Sequence, residues 1–215
     1  MKNIIIILTL IIMVSCSNAQ KSVKFSFDNT NLSKTKIWST HITGKGNPCK
    51  WVIINDNGNN VLAQTSQETE DYRFNIIIND SLKYKDMEIN VRFKAEKGDN
   101  DQGGGPVWRY KDENNYYVAR ANPLENNFRL YKVINGRRIQ LKSSKITMQK
   151  NKWYNIKIIV NGEYIKCYFN NSLEMETTDN SLKNYGKIGL WTKSDAVTYF
   201  DDLKISTINK PNSFK

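Results

Sequence analysis

The sequence predicts an all-β protein built as a two-sheet antiparallel β-sandwich. Three observations carry this. From Lys21 onward, apolar residues recur at every second position far more often than at the helical period. The apolar runs are short and close in clusters of Asn, Asp and Gly, which are turn formers. The chain has 215 residues, and the roughly 195 left after its apolar leader suffice for one core but are short for two.

Each strand has a local reason. Lys24-Phe25-Ser26-Phe27 alternates before Asp28-Asn29, and the apolar run Trp51-Val52-Ile53-Ile54 is closed by Asn55-Asp56-Asn57-Gly58. Phe74 to Ile78 ends at Asn79-Asp80. Met87 to Phe93 alternates cleanly, so Met87, Ile89, Val91 and Phe93 share one face and need a second layer to cover them. Strands follow at Val107 to Tyr110, Tyr116 to Ala121, Phe128 to Val133 and Arg138 to Leu141, the last two joined by an Asn135-Gly136 hairpin turn. Trp153 to Val160, Asn161-Gly162-Glu163 and Tyr164 to Phe169 form another hairpin. Leu173 to Thr177, Lys187 to Thr192 and Val197 to Ile205 complete the series. No segment reads as a convincing helix, and residues 60–71, the least patterned span, read as a long loop.

The first residues are a targeting segment. Lys2 precedes an apolar stretch of 11 residues, Ile4 to Val14, with the shape of a signal peptide and well short of the roughly 20 that cross a bilayer. Two cleavage points compete. Met13-Val14-Ser15-Cys16 is similar to a bacterial lipid-attachment motif, which makes Cys16 the acylated first residue of an outer-membrane lipoprotein. Ser17-Asn18-Ala19 suits soluble export to the periplasm or beyond. The expected organisation is a leader over 1–19, one sandwich over 21–208 and a polar tail over 209–215. Cys49 and Cys167 are read as isolated thiols, with a single disulfide as the alternative.

Lysine and arginine number 32 against 21 acidic residues, a formal charge of +11. The positive residues are scattered singly along strands, and no nucleic-acid-binding motif accompanies them, so nucleic acid is not an expected partner. The sole histidine, His41, excludes a histidine-rich zinc site, and no serine or cysteine triad assembles from the pattern around it. Gly103-Gly104-Gly105 lacks the lysine and hydroxyl of a phosphate loop and precedes a strand. No organic cofactor is expected.

The succession GGGPVWRYKDENNYYVARANPLENNFRLYKV, GRRIQL, KWYNIKIIVNGEYIKCYFN and YGKIGLWTKSDAVTYFDDLKI resembles the bacterial 3-keto-disaccharide hydrolase domain family. That family lies within the superfamily of concanavalin-like and laminin-G-like sandwiches. The resemblance spans roughly Phe74 to Ile205 and implies a concanavalin-like jelly roll with a curved sheet that receives a saccharide. It implies equally an exported bacterial protein acting on polysaccharides or modified glycosides.

Within that frame, alternation places Val107 with Arg109 and Trp108 with Tyr110, and the family pattern turns Arg109 outward. Arg109, Arg120 and Arg129 then stand on adjacent strands with their side chains on one face, where fixed guanidinium donors suit hydroxyls or carboxylates. Trp191 is the best candidate for stacking on a sugar ring, because Ile188 and Leu190 take the opposite alternation. Glycoside cleavage usually needs two carboxyl groups, and Glu174 and Glu176, two apart on one strand, are spaced roughly 6.5 to 7 Å at the backbone. Asp28, Asp201 and Asp202 are expected to meet where the two ends of the sandwich lie together and to hold a structural calcium ion. The expected function is binding of a saccharide or polysaccharide by an exported sandwich, with the membrane a partner through Cys16. Hydrolysis of a 3-keto-disaccharide or related glycoside, and a non-catalytic envelope interaction module, are the alternatives.

Overall fold

A computed structural model describes residues 21–28 and 30–208. The leader, Cys16 and the tail over 209–215 lie outside the described residues. The chain enters with β1 (Ser22–Phe25) and one helical turn, α1 (Leu32–Thr35), capped by the Asn31 side chain accepting from the Lys34 amide at 3.2 Å. The rest is strand. β2 (Trp38–Ile42), β3 (Trp51–Asp56), β4 (Asn59–Gln64) and β5 (Phe74–Tyr84) lead to β6 (Met87–Lys97) and β7 (Gly104–Asp112). Then come β8 (Asn115–Asn122), β9 (Asn127–Ile134), β10 (Arg137–Lys145), β11 (Tyr154–Asn161) and β12 (Tyr164–Phe169). β13 (Ser172–Thr178), β14 (Gly186–Lys193) and β15 (Val197–Thr207) close the fold.

Every strand pair is antiparallel. One sheet has the order β10-β9-β8-β7-β14-β5-β2; the other runs β13-β12-β11-β6-β15-β4-β3. β1 pairs with the second half of β15, over Leu203–Ser206, continuing the edge along which β4 pairs with Thr198–Phe200. The interior between the sheets is the predicted sandwich core. Met87, Ile89, Val91 and Phe93 from β6 meet Trp108, Tyr117, Leu130 and Leu190 from the seven-stranded sheet.

The sequence-based boundaries fail at three places, each for a physical reason. Residues 60–64 are not loop. Val61, Leu62 and Ala63 form β4, folded back on β3 through the left-handed pair Asn57 and Gly58, and their burial on both faces hides the alternation. In β7 the pairing with β8 shifts between Trp108 and Asp112, and Arg109 takes φ of 48°. This bulge moves Tyr110 onto the face of Val107, so Trp108 points alone into the core. α1 is the helical turn that patterning did not show. Cys49 and Cys167 are free thiols, the second fully buried.

The glycine run has a packing role. A Cβ on Gly105 would lie 2.0 Å from the Ala119 carbonyl oxygen, so only glycine allows β7 and β8 to approach this closely. Gly186 serves the bulge in the same way, since its Cβ would sit 2.5 Å from the Arg109 Cα.

Candidate functional site

The seven-stranded sheet is strongly curved. Arg138 on β10 and Phe74 on β5 are five strands apart, roughly 24 Å along a flat sheet, yet the guanidinium lies 4.9 Å from the phenyl centroid. The face turned away from the sandwich core is therefore concave, and its floor is aromatic. Phe74 packs on Trp191 with ring centroids 5.1 Å apart, and the Trp191 indole N–H donates to the Tyr116 hydroxyl at 3.3 Å. Tyr110 extends the row from Tyr116 to His41, at 5.8 and 5.4 Å.

Polar residues crowd one end of this floor. Arg120 and Arg129 face each other in the β8–β9 register and share Glu125 from the intervening turn. Arg120 donates to both Glu125 oxygens at 3.1 and 3.0 Å, and Arg129 donates at 2.8 Å. Burial opposes ionisation of Glu125, but hydrogen bonds from Asn127 and the charge of Arg120 outweigh it and hold the carboxyl below its ordinary range. Beside them lies Asp101, 0% exposed. Its Oδ1 accepts from the Gly103 amide at 2.6 Å and from Asn122 at 3.2 Å, while Oδ2 has no hydrogen-bond partner and faces Lys193 Nζ at 3.4 Å. Burial pushes the Asp101 carboxyl up, and Arg120 and Lys193 offset only part of that.

A cavity of about 220 Å³ opens at this end, lined by Asp71, Tyr72, Arg138 and Lys193. Tyr72 is 77% exposed, which is unusual for a large aromatic side chain. Arg138 lies over Tyr131 at 4.7 Å, Phe74 at 4.9 Å and Trp191 at 6.0 Å. Arg138 Nη1, Arg129 Nε and Arg120 Nε are all buried without hydrogen-bond partners.

The structure brings together only part of the set anticipated from sequence. Arg120 and Arg129 do share one face. Arg109 does not join them: it is 1% exposed and donates to the carbonyls of Lys85, Leu182 and Gly162. The bulge turns its side chain toward the loops at one end of the sandwich, which corrects the outward placement. Trp191 is on the concave face as alternation indicates, but at 0% exposure under Arg138 it presents no ring to a ligand in this conformation. Glu174 and Glu176 belong to edge strand β13 of the other sheet, where Glu174 accepts from Ser144 at 2.8 Å and Glu176 lies 3.7 Å from Lys166. Asp28, Asp201 and Asp202 do meet, around a cavity of about 430 Å³ shared with Arg92 and Trp153. Arg92 and Lys24 pair with Asp201 and Asp202 there, at 3.2 and 2.7 Å. No group of three or more His, Cys, Asp or Glu side chains arranged for a metal occurs among the described residues.

Tyr72, Glu125, Arg138 and Lys193 escaped the sequence reading. Only Glu125 left a signal, being the acid in the turn that joins the two arginine strands. His41 is a strand residue of β2, with Ser39 Oγ 3.0 Å from its Nε2.

Residues 24–206 match the family model described as the 3-keto-alpha-glucoside-1,2-lyase-like domain. The chain belongs to this family. No curated protein sequence matches it. Among solved structures, the chain is similar to carbohydrate binding module CBM66 from Bacillus subtilis, with a TM-score of 0.63 and 20% identity over 78% of this chain and 94% of that one. The VIP36 exoplasmic/lumenal domain in its Ca2+/Man2-bound form gives a TM-score of 0.60 and 13% identity, covering 90% of this chain and 91% of that one. A native glycosidic hydrolase gives 0.60 and 14%, covering 88% and 96%. At these identities the likeness is one of fold. The lyase-like family and the two-sheet sandwich agree with the resemblance drawn from the motif order.

Proposed function

We propose that this member of the lyase-like family binds a saccharide at the Tyr72 end of the concave sheet. The observation that carries the reading is the exposed Tyr72 ring beside a small cavity lined by Arg138 and Lys193. An exposed aromatic supplies an apolar face for a sugar ring, and the cationic donors of Arg138 and Lys193 suit hydroxyl or ring oxygens. The cavity of about 220 Å³ is below the usual small-ligand range of roughly 300 to 1,000 Å³, which suits one sugar unit at the end of a chain. Fold likeness to a carbohydrate binding module and to a mannose-bound domain supports the reading. Incubation of the purified protein with neutral, uronic and 3-keto glycosides, followed by mass-spectrometric profiling, tests it. Retained glycoside supports binding; retention of none removes the reading.

The family description favours a second reading, cleavage of a keto-glycoside. A 1,2-elimination needs a base to remove the proton beside the ketone while the glycosidic oxygen leaves. Asp101 is the carboxylate of the cluster with an unbonded oxygen. Glu176, lining a separate cavity of about 420 Å³ with Lys142, Tyr164 and Lys166, represents the Glu174–Glu176 alternative. Converted glycoside in the same profile establishes turnover, and Asp101→Asn against Glu176→Gln locates it. Export with acylation of Cys16 belongs to the same proposal and is tested by lipid labelling of wild type and Cys16→Ser. A structural calcium ion at Asp28, Asp201 and Asp202 is a separate proposal: calcium added to chelated protein raises the thermal midpoint if it holds and leaves it unchanged if it does not.

A further inference from the structure

We infer that the saccharide bound at this end carries a carboxylate, and that Arg138 and Lys193 receive it; the inference rests on the saccharide reading above. The charge arrangement is the reason. Four cations, Arg120, Arg129, Arg138 and Lys193, gather here with three carboxylates, Asp71, Asp101 and Glu125. Glu125 is fully engaged by Arg120 and Arg129. Asp101 sits beneath Lys193, and Asp71 is an exposed side chain at 3.9 Å from the same ammonium. Arg138 makes no ion pair among the described residues. Its guanidinium rests instead on three aromatic rings, and its Nη1 is buried with no acceptor.

An arginine held on ring faces is positioned by their quadrupoles, and the part-exposed Arg138 side chain lines the cavity. A carboxylate pairs with a guanidinium through charge-assisted hydrogen bonds roughly twice as strong as those a neutral hydroxyl makes. Lys193 lines the same cavity and adds a second positive charge with a 15% exposed side chain, so the anion would be held in a partly desolvated place where the pairing is strong. Aromatic Tyr72 beside the two cations takes the sugar ring that bears the acid. The inferred ligand class is therefore a uronic-acid-terminated or otherwise carboxylated saccharide.

The test compares a glucuronic-acid-terminated disaccharide with its glucose-terminated counterpart, by calorimetric titration against wild type, Arg138→Gln and Lys193→Gln. The expected result is at least a tenfold preference of wild type for the uronate, falling as salt is raised, and a preference reduced to threefold or less in both variants. Equal affinity for the two disaccharides in wild type overturns the inference and leaves saccharide binding intact. A preference that persists undiminished in both variants also overturns it, by placing the anion elsewhere. Binding of neither disaccharide sinks the saccharide reading and this inference together. Should Arg138→Gln unfold, Lys193→Gln alone decides.

Discussion

Replacing Arg109 with alanine separates a structural arginine from the ligand-facing ones. The Arg109 guanidinium is 1% exposed and makes four N–H···O bonds, at 3.1, 2.9, 2.9 and 2.6 Å, to three backbone carbonyls. Those carbonyls belong to three different connections: Lys85 between β5 and β6, Gly162 between β11 and β12, and Leu182 before β14. One side chain thus ties both sheets together at this end. A hydrogen bond from a charged donor contributes about 1.5 to 3 kcal/mol, but bonds sharing one group do not add. Water entering through the neighbouring cavity, to which Lys85 and Gly162 belong, satisfies part of what is left. The expected loss is about 3 to 5 kcal/mol, a large part of the 5 to 15 kcal/mol typical of a domain. Urea denaturation followed by tryptophan fluorescence reads it directly. Arg109→Lys should recover less than half, because an ammonium cannot span three carbonyls. Saccharide affinity, measured on the folded fraction, should stay within twofold of wild type. A loss of stability below about 1 kcal/mol, or a large loss of affinity in a protein that remains folded, would refute the assignment.

Three further outcomes follow from the same geometry. The Asp179 carboxyl is half-buried, yet hydrogen bonds from Lys132 and Tyr117 outweigh that desolvation and hold it down to about 2. Its folded value lies below the ordinary 3.8, so the stabilisation is complete above about pH 4 and is lost as pH falls toward 2. The effect is at most about 2 kcal/mol, and urea midpoints of wild type should fall more steeply over that window than those of Asp179→Asn; parallel curves would contradict it. Gly105→Ala should cost about 3 kcal/mol or more, because its Cβ meets a backbone oxygen that cannot move without opening β7 from β8; a variant as stable as wild type would show that the strands are not so close. Burial raises both cysteine thiols, and only Cys167 is wholly enclosed. Peptide mapping after treatment with a thiol reagent should find Cys49 modified slowly in the native protein and Cys167 only in denaturant.

Much of the fold was legible because its determinants are local. Met87 to Phe93 alternates, Asn135-Gly136 and Asn57-Gly58 take the left-handed angles that tight hairpins need, and the order of motifs over the second half is specific to the lyase-like family. The site was legible only in its arginine pair, since Arg120 and Arg129 flank one turn and hairpin register sets them opposite each other. The bulge at Arg109 was hidden, because one extra residue reverses every inference from alternation beyond it. Trp191 was assigned to the correct face. Its burial comes from sheet curvature that brings Arg138 over it, and curvature is a tertiary property with no short-range pattern. Tyr72 and Arg138 lie far apart in sequence, and neither carries a local mark of joining the other.

The most direct test of saccharide binding at the concave sheet is the affinity of wild type and Tyr72→Ala for the glycoside retained in the mass-spectrometric profile, with thermal midpoints measured in parallel. Tyr72 is so exposed that its loss should leave the midpoint unchanged. Truncating the central aromatic of a binding surface costs about 2 kcal/mol or more, so affinity should fall at least tenfold. An unchanged midpoint with unchanged affinity would contradict the account and move the ligand away from this face.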